Sequence, residues 1–315
     1  GSTQDARHHA EGDVWVHTRM VTEELLALPG FAAETGENRL VLFATALLHD
    51  VAKPLTRREE EGRITNRGHS RIGAVMARVI LWRMGVPLRL RERICTLIAF
   101  HQIPFWLLER PEWQARRTLA EVSMTVENRL LATFAEADAL GRIAPDRQRI
   151  IDNAMLYAEM ADELGCRDAP FPFASDFSRV RYFRDAETRH PGDAPFDTLD
   201  PGFTVTMMSG LPGTGKSTRA AALGQPVISL DSVRRDMGVA ASDEQGGVVQ
   251  EARERARVLL RAKKGFVWDG TNLSRELRGL TLPLLLDYGA RGRILYLEAP
   301  AGSAAARNRE RGRDA

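Results

Sequence analysis

A glycine-rich stretch of the chain has the residue types and spacing of a phosphate-binding loop, G-x-x-x-x-G-K-[ST]. Glycines allow the tight turns in which backbone N–H groups surround a phosphate, and the lysine brings a charge to the terminal phosphates. A buried-strand pattern precedes the stretch and a helical pattern follows it. This strand–loop–helix context is the one the motif requires, and a glycine-rich turn that arose by chance would have no reason to show it. We predict that ATP or another NTP, with Mg²⁺ on Ser217, binds these residues: Gly210, Gly213, Gly215, Lys216, Ser217 and Thr218.

A carboxylate and an arginine follow the strand predicted next, at 226–230. Asp231 lies just past it, at the carboxyl edge where parallel sheets bind ligands, and a carboxylate there can accept the proton of an acceptor hydroxyl. Arg234 comes one helical turn later and can bind an acceptor phosphate. Alternatively, Asp231 caps a helix and Arg234 is a surface charge. Their agreement with the loop favours catalytic roles for Lys216, Asp231 and Arg234.

Other polar groups of this half are expected to act on the same nucleotide. Asp269 ends a strand predicted at 265–269 and is expected to support Mg²⁺ through water, while Thr271 and Asn272 orient phosphates. Several arginines near the end of the sequence suggest a lid that closes over the phosphates and excludes water. These arginines are Arg307, Arg309 and Arg311.

A set of imidazoles and carboxylates occupies the first half of the chain. A single histidine on a helix is most often a satisfied polar residue, but an ordered series with aspartates is more specific. Imidazole and carboxylate together suit Mn, Fe, Co, Ni or Zn. The candidates lie at or near predicted helix ends or on helix faces, where a bundle brings them together: His17, His49, Asp50, His69, His101 and Asp138.

Length and composition limit the class of protein. A chain of 315 residues carries a prior of about two domains, and 43% hydrophobic with 27% charged residues is a globular composition. The net charge is only +2, so the chain has no strong overall electrostatic footprint for nucleic acid. Without a long apolar run or a signal peptide we expect no membrane partner. Two cysteines in no metal or redox motif indicate a reducing cytoplasm.

The hydrophobic periodicity divides the chain into two halves. The first half has helical patterns, including one at 118–140, and no strand-like alternation, so we predict an all-α helical bundle. In the second half strands alternate with helices, which predicts an α/β domain with a parallel sheet. We expect a helical domain at 1–165, a proline-rich linker at 166–202 and an α/β domain at 203–315.

One stretch of the predicted linker, 177–184, interleaves arginines with aromatic residues. It is either a segment packed against one domain with its arginines solvated, or a contact strip for the backbone and bases of a nucleic acid. We favour the first interpretation, because such patterns are common by chance.

The first half resembles the HD phosphohydrolase superfamily, and phrases around His17, His49-Asp50, His69 and Asp138 look like the HD domain of bacterial tRNA nucleotidyltransferases. This resemblance implies a helical, metal-dependent phosphohydrolase in which His17, His49, Asp50 and Asp138 form the motif. His69 and His101 are then the further ligands found in members with two ions. Lys53 would stabilise a phosphate oxygen, and Asp50 would act in catalysis and bridge the metals.

Three upstream residues, His8, His9 and Glu11, either line the same site or belong to a disordered N-terminus. The sequence favours neither interpretation.

The second half resembles the polynucleotide 5′-kinase group of P-loop phosphotransferases, on the loop, the Asp231–Arg234 pair, the Asp269 loop and the arginine lid. By that resemblance Asp231 is the general base, and Lys216 and Arg307 contact ATP phosphates. Members of this group continue with further helix, so we expect the C-terminal lid region to be incomplete.

The order of the two halves resembles the bacterial HD-Pnk family of bifunctional end-healing enzymes. The resemblance implies removal of 2′,3′-cyclic phosphate and 2′-phosphate ends by the first half and phosphorylation of 5′-OH ends by the second. RNA or DNA ends would be the substrate, as in RNA repair, with a separate ligase as partner. One alternative is a nucleotide phosphohydrolase fused to a sugar or metabolite kinase. Another is an ATP-switched binding protein with a degenerate metal site.

Overall fold

The computed structural model describes residues 2–5, 10–60, 63–196, 202–240 and 242–311. The chain forms two compact units, Gly1–Thr198 and Leu199–Ala315. The first is helical and the second is α/β, as the periodicity predicted. Among the described residues no helix is long and apolar enough to cross a membrane.

The helical unit is built around a core to which most of its helices contribute leucine, isoleucine and alanine side chains. Helix α9 is central, because it packs against α1, α3, α6, α8 and α10 and buries most of its residues. The helices are α1 Val14–Ala27, α2 Pro29–Ala32, α3 Gly36–Leu48, α4 Lys53–Thr56, α5 His69–Arg83, α6 Leu88–Phe100, α7 Ile103–Trp106, α8 Glu112–Ser123, α9 Asn128–Leu140, α10 Arg147–Glu163 and α11 Asp176–Arg184. Short 3₁₀ helices lie at Leu107–Glu109 and Pro191–Asp193.

Two features of this unit differ from the sequence prediction. The helical pattern at 118–140 belongs to α8 and α9, which are separate helices. A small antiparallel hairpin, β1 Arg58–Glu60 with β2 Arg63–Thr65, follows α4, so the expectation of no strands was wrong. Strands of this length with largely exposed, charged side chains carry no hydrophobic alternation, which is why periodicity did not find them.

The segment predicted as a linker contributes to the helical unit, which extends to Thr198. Tyr182, on α11, is fully buried. Arg117 lies over its ring at 4.6 Å and donates hydrogen bonds to the carbonyl oxygens of Tyr182 and Phe183. Within the strip at 177–184 the Tyr182 ring is therefore packed inside the unit, which leaves it unavailable for stacking on a base.

The α/β unit has a four-stranded parallel sheet in the order β4-β5-β3-β6. A parallel sheet was predicted, and two of its strands lie within the stretches predicted as strands at 226–230 and 265–269. The strands are β3 Thr204–Ser209, β4 Val227–Ser229, β5 Phe266–Asp269 and β6 Arg291–Tyr296. The helices are α12 Lys216–Ala221, α13 Leu230–Asp236, α14 Gly246–Arg261, α15 Arg275–Gly279, α16 Leu282–Asp287 and α17 Ala301–Arg311.

The sequence at 274–288 has a continuous helical pattern, but the structure divides it into α15 and α16. Pro283 lies in the first turn of α16, where backbone N–H groups make no hydrogen bond within the helix, so the N–H that proline lacks is not needed. In the middle of one long helix the same proline would remove a hydrogen bond and clash with the preceding turn.

Candidate active sites

Six buried side chains with metal-ligating atoms come together in the helical unit, and they are the six that the sequence assigned to a metal. They form two neighbouring groups, and the ligand atoms of each group lie within 4.8 Å of one another. The first group is His17, His49 and Asp138, and the second is Asp50, His69 and His101.

Helix ends place these ligands. Asp13 caps α1 by accepting hydrogen bonds from the backbone N–H groups of Trp15 (2.7 Å) and Val16 (3.0 Å), which fixes the turn that carries His17. Helices α3 and α6 end immediately before His49 and His101, α5 begins at His69, and Asp138 lies in the last turn of α9. Because these ends meet, ligands far apart in sequence share one centre.

Backbone carbonyls fix the histidine rings. A carbonyl oxygen only accepts hydrogen bonds, so the ring nitrogen beside it carries the proton, and Nε2 of His49, His69 and His101 is left with its lone pair for a metal. Nε2 of His17 instead lies 3.1 Å from Oδ1 of Asp138. The carbonyl contacts to Nδ1 are His17 with Gly141 (3.2 Å), His49 with Ala46 (2.9 Å), His69 with Asn66 (2.8 Å) and His101 with Ile98 (2.7 Å).

The carboxylate of Asp50 links the two ligand groups. Its Oδ1 lies 3.4 Å from Nε2 of His69, and its Oδ2 lies 3.2 Å from Nε2 of His49. Lys53 brings Nζ to 2.7 Å from the same Oδ2. The side chain of Asp50 is thus placed to serve both groups, as expected for a bridging ligand.

The surroundings keep both aspartates ionised. Burial alone would raise the pKa of Asp50, but His49 and Lys53 hold it well below its usual range. Burial likewise opposes ionisation of Asp138, and Arg142 with His17 holds its pKa well below the usual range. Both residues are therefore carboxylates, which is the form that binds a cation.

The histidines differ between the two groups. Burial lowers the pKa of His69, and burial with the neighbouring His49 lowers the pKa of His101 to about 3. Both are neutral ligands near pH 7. Burial also acts to lower the pKa of His17, but its contacts with Asp138 and Glu11 leave it raised.

The buried polar atoms of this centre fit a divalent transition ion. Among the described residues, Nε2 of His49, Oδ1 of Asp50 and Oδ2 of Asp138 are buried without a hydrogen-bond partner, and Oδ2 of Asp50 has the ion pair with Lys53 as its partner instead of a hydrogen bond. Polar atoms this deeply buried are normally paired, and a cation would satisfy all three unpaired atoms at once. Imidazole nitrogen with carboxylate oxygen suits Mn, Co, Ni, Fe or Zn, and the two groups have room for one or two ions.

Three residues outside the predicted set contact this centre. Glu11 brings Oε1 to 2.9 Å from Nδ1 of His17, so this residue does line the site, whereas His8 and His9 lie outside the described residues. Arg142, four residues after Asp138 and just past the end of α9, donates to Oδ1 of that carboxylate at 3.0 Å, a pairing that the i, i+4 spacing could have indicated. Gln4 accepts a hydrogen bond from Lys53, which lies 49 positions later in the chain, and no sequence pattern indicates a contact between residues so far apart.

The phosphate-binding loop of the α/β unit follows β3 and ends at α12. Gly213 has φ of +81°, and a Cβ there would lie 2.5 Å from the carbonyl oxygen of Ala304. Only glycine fits this position without displacing α17. Lys216 and Ser217 begin α12, and Nζ of Lys216 donates to the carbonyl oxygen of Leu211 at 2.8 Å.

A cleft of about 290 Å³ lies at the carboxyl edge of the sheet. Four of the predicted site residues line it: Lys216, Ser217, Asp231 and Arg234. Thr218 is exposed and is not one of the described residues that line the cleft. Asp231 lies on α13 with its side chain 74% exposed, and Arg234 pairs with it at 2.9 Å. The carboxylate is therefore both open to an acceptor and beside a cation.

The loop after β5 is tied to the phosphate-binding loop. Asp269 lines the cleft, and the backbone N–H of Gly210 donates to the carbonyl oxygen of Thr271 at 3.0 Å. We expected Asn272 to orient phosphates, but its buried amide donates to the carbonyl oxygen of Met208 at 2.8 Å. The structure gives Asn272 the role of holding β3 and the loop together.

The predicted lid arginine also reaches the phosphate-binding loop. Arg307 lies on α17, and its Nη1 donates to the carbonyl oxygen of Gly213 at 3.4 Å. This contact places a guanidinium beside the loop that would bind the nucleotide phosphates.

Comparisons with known proteins agree with the two sites. Residues 14–142 match the HD domain, and residues 205–315 match the AAA domain. These matches support an HD domain fused to a P-loop kinase-like domain. Both domains are of kinds that suggest enzymatic activity, and they account for a metal centre in one unit and a nucleotide cleft in the other.

Two curated relatives match part of the chain. The CC-adding tRNA nucleotidyltransferase of Thermus thermophilus is 38% identical over 103 residues, which cover 32% of this chain and 22% of that protein. The A-adding tRNA nucleotidyltransferase of Deinococcus radiodurans is 30% identical over 154 residues, covering 46% and 33%. The matched part of the chain therefore spans between a fifth and a third of the length of these two curated relatives.

Proposed function

We propose that this protein is a bifunctional enzyme that repairs broken nucleic-acid ends. The HD domain removes 2′,3′-cyclic phosphate and 2′-phosphate groups, and the P-loop domain phosphorylates 5′-OH ends. The observation that carries the proposal is the presence, in one chain, of a metal-ligand centre with a buried lysine and a P-loop cleft with an open carboxylate. These two chemistries are complementary only on the two ends of one broken strand. The relatives of the HD domain, named as tRNA nucleotidyltransferases, support a polynucleotide substrate.

In the HD domain, the four imidazoles and two carboxylates would hold one or two transition-metal ions. A bound ion lowers the pKa of a coordinated water and neutralises charge on a phosphate. Lys53, held at 2.7 Å from Asp50, places an ammonium beside the centre to bind a phosphate oxygen. Burial of the six ligands strengthens these electrostatic interactions by excluding water.

In the P-loop domain, Asp231 would accept the proton of the 5′-hydroxyl as its oxygen attacks the γ-phosphorus of ATP and the bond to ADP breaks. Lys216 and Arg307 would neutralise charge on the transferred phosphate, Ser217 would hold Mg²⁺, and Arg234 would bind an acceptor phosphate. The exposure of Asp231 supports this role, because the end of a polymer can reach it.

The deciding experiment uses one oligonucleotide with a 5′-OH and a 2′,3′-cyclic phosphate. Incubation with labelled ATP, Mg²⁺ and Mn²⁺, Co²⁺ or Ni²⁺ is expected to label the 5′ end and open the cyclic phosphate to a 3′-OH. A chelator followed by Mg²⁺ alone is expected to leave only the labelling. RNA and DNA versions show the preferred polymer, and a subsequent ligase shows whether the ends can be joined.

The competing interpretation, an HD nucleotide phosphohydrolase joined to a small-molecule kinase, gives the opposite result. Sugars and nucleosides would then be labelled while the oligonucleotide is not. That outcome would overturn the proposed substrate while leaving the two domain assignments in place.

A further inference from the structure

The segment before α1 folds back over the metal centre. The backbone N–H of Gln4 donates to the carbonyl oxygen of Gly12 at 3.1 Å, and that of Val14 donates to Ser2 at 3.1 Å. Thr3 pairs with Asp13 as an antiparallel bridge. These contacts hold residues 2–5 against the start of the helix that carries a metal ligand. The side chain of Gln4 is consequently only 5% exposed.

The orientation of the Gln4 amide is fixed by a lysine. Nζ of Lys53 donates to Oε1 of Gln4 at 2.5 Å, and the same Nζ lies 2.7 Å from the carboxylate of Asp50. Because an ammonium group can only donate, the amide oxygen must face it. The amide nitrogen, with its two N–H groups, therefore points away from the lysine.

The amide nitrogen of Gln4, Nε2, is buried and has no hydrogen-bond acceptor among the described residues. Leaving a buried donor unpaired is unfavourable, so such groups normally have a partner. The unpaired atoms of the metal ligands His49, Asp50 and Asp138 are acceptors that a cation satisfies, whereas Nε of Arg142 is, like Nε2 of Gln4, an unpaired buried donor. A cation cannot satisfy an N–H donor, and only an acceptor such as an anionic oxygen can.

We propose that Gln4 binds the phosphate of the HD-domain substrate, donating from Nε2 to a non-bridging oxygen. Lys53 then has two functions, since it supplies positive charge at the centre and fixes the amide so that only donors face the substrate. The inference rests on the proposed phosphoesterase activity and adds a substrate contact outside the HD motif. It applies equally to a cyclic phosphodiester and to a phosphate monoester, because both present non-bridging oxygens.

The test measures binding of inorganic phosphate to the full chain loaded with Mn²⁺. The Lys216→Ala background removes the P-loop lysine, so that binding reports the HD domain. Gln4→Glu keeps an acceptor for Lys53 and replaces the donor with a negatively charged oxygen. We expect it to raise the phosphate Kd at least about tenfold, and Gln4→Met, which has neither group, to weaken phosphate binding less.

Metal affinity separates substrate contact from a structural role. Mn²⁺ titration of Gln4→Met is expected to give the wild-type stoichiometry and affinity, and Gln114→Glu, which adds the same charge on α8, is expected to leave phosphate binding unchanged. An unchanged phosphate Kd in both Gln4 variants would overturn the proposal, as would a loss of Mn²⁺ affinity as large as the loss of phosphate affinity. If the wild type fails to open a cyclic phosphate while the Gln4 variants still weaken phosphate binding, the proposed reaction fails and the phosphate contact stands.

Discussion

The two sites of this chain are organised in opposite ways. The six ligands of the HD centre are buried and held by each other, by backbone carbonyls and by Lys53, before any ion is considered. The groups of the P-loop cleft are more open, and the Asp231 side chain is 74% exposed. Its lysine contacts a carbonyl of its own loop. The HD centre is therefore preorganised, whereas the P-loop cleft depends on its ligands to complete it.

This difference has an energetic reason. Burying carboxylates and imidazoles is unfavourable unless they are paired, so the HD centre retains its shape only through mutual contacts and the cation it fits. Exposed charges have little desolvation to overcome, and the contacts between them are weak. Substitutions in the first site should therefore disturb metal binding and stability as well as activity. In the second they should disturb activity alone.

The largest effect is expected from Asp50→Ala. The variant removes the carboxylate that links both ligand groups and leaves Lys53 without this buried partner. We expect phosphoesterase activity to fall about 10³-fold or more, because the contribution of a catalytic metal is several kcal/mol. The kinase activity of the same chain should be retained. Both assays on one oligonucleotide check this, with circular dichroism as the control for folding, and loss of both activities in a folded chain would contradict the two-site assignment.

Asp231→Asn is expected to do the reverse. The substitution keeps the shape of the side chain and removes the proton acceptor, so kinase turnover should fall at least about 100-fold. Because the side chain is exposed, we expect the thermal midpoint and the KM for ATP to change little. Asp236→Asn on the same helix is the matched control. Equal losses in the two variants would mean that Asp231 acts through the charge of the helix and not as the base.

Much of this arrangement could be predicted from the sequence. The metal-ligand set and the phosphate-binding loop consist of particular residue types at fixed spacings beside helix and strand ends, and those ends are visible as periodicity. The division into a helical bundle and a parallel-sheet domain follows from the same patterns. The two domain matches support these parts.

Contacts between distant residues could not be predicted. Gln4 meets Lys53 across 49 positions, and neither residue type indicates a partner so far away. The hairpin at β1 and β2 was missed because its strands have only three residues each and most of their side chains are charged and exposed. Asn272 was assigned to phosphates because it lies in the right loop, although its amide is used by β3. In each case packing, and not local pattern, decides the role.

The two cysteines allow the stability of the HD domain to be followed by itself. Cys95 and Cys166 are both buried in the helical unit, and burial raises the pKa of each thiol to about 11. The thiolate is the reactive form, so at pH 8 the raised pKa alone should slow alkylation about 100-fold relative to an ordinary thiol. In the unfolded chain the thiols ionise as the pH rises above about 9, whereas in the folded chain they stay protonated up to about pH 11. The contribution of the buried thiols to the free energy of unfolding is therefore complete at neutral pH and is lost as the pH rises through this range.

The measurement is the rate of alkylation of the native chain against that of the chain in denaturant. Mn²⁺ should lower the rate of alkylation of the native chain further by stabilising the HD domain. ATP with Mg²⁺ should lower this rate less, because it binds the other domain. Rapid labelling of both cysteines in the native chain at neutral pH would contradict their burial.

The smallest effect is expected at the edge of the HD centre, from Glu11→Gln. Glu11 accepts from Nδ1 of His17 and from the backbone N–H of Ile143, so its charge both orients the imidazole and increases its basicity. The amide keeps the size and loses the charge, and we expect Mn²⁺ affinity in the group containing His17 to fall about tenfold or more. Excess Mn²⁺ should then restore phosphoesterase turnover, which a damaged active site would not allow. Glu24→Gln, also on the helix of His17, should change neither quantity. Unchanged metal affinity in Glu11→Gln would show that backbone carbonyls alone hold the ring, as they hold those of His49, His69 and His101.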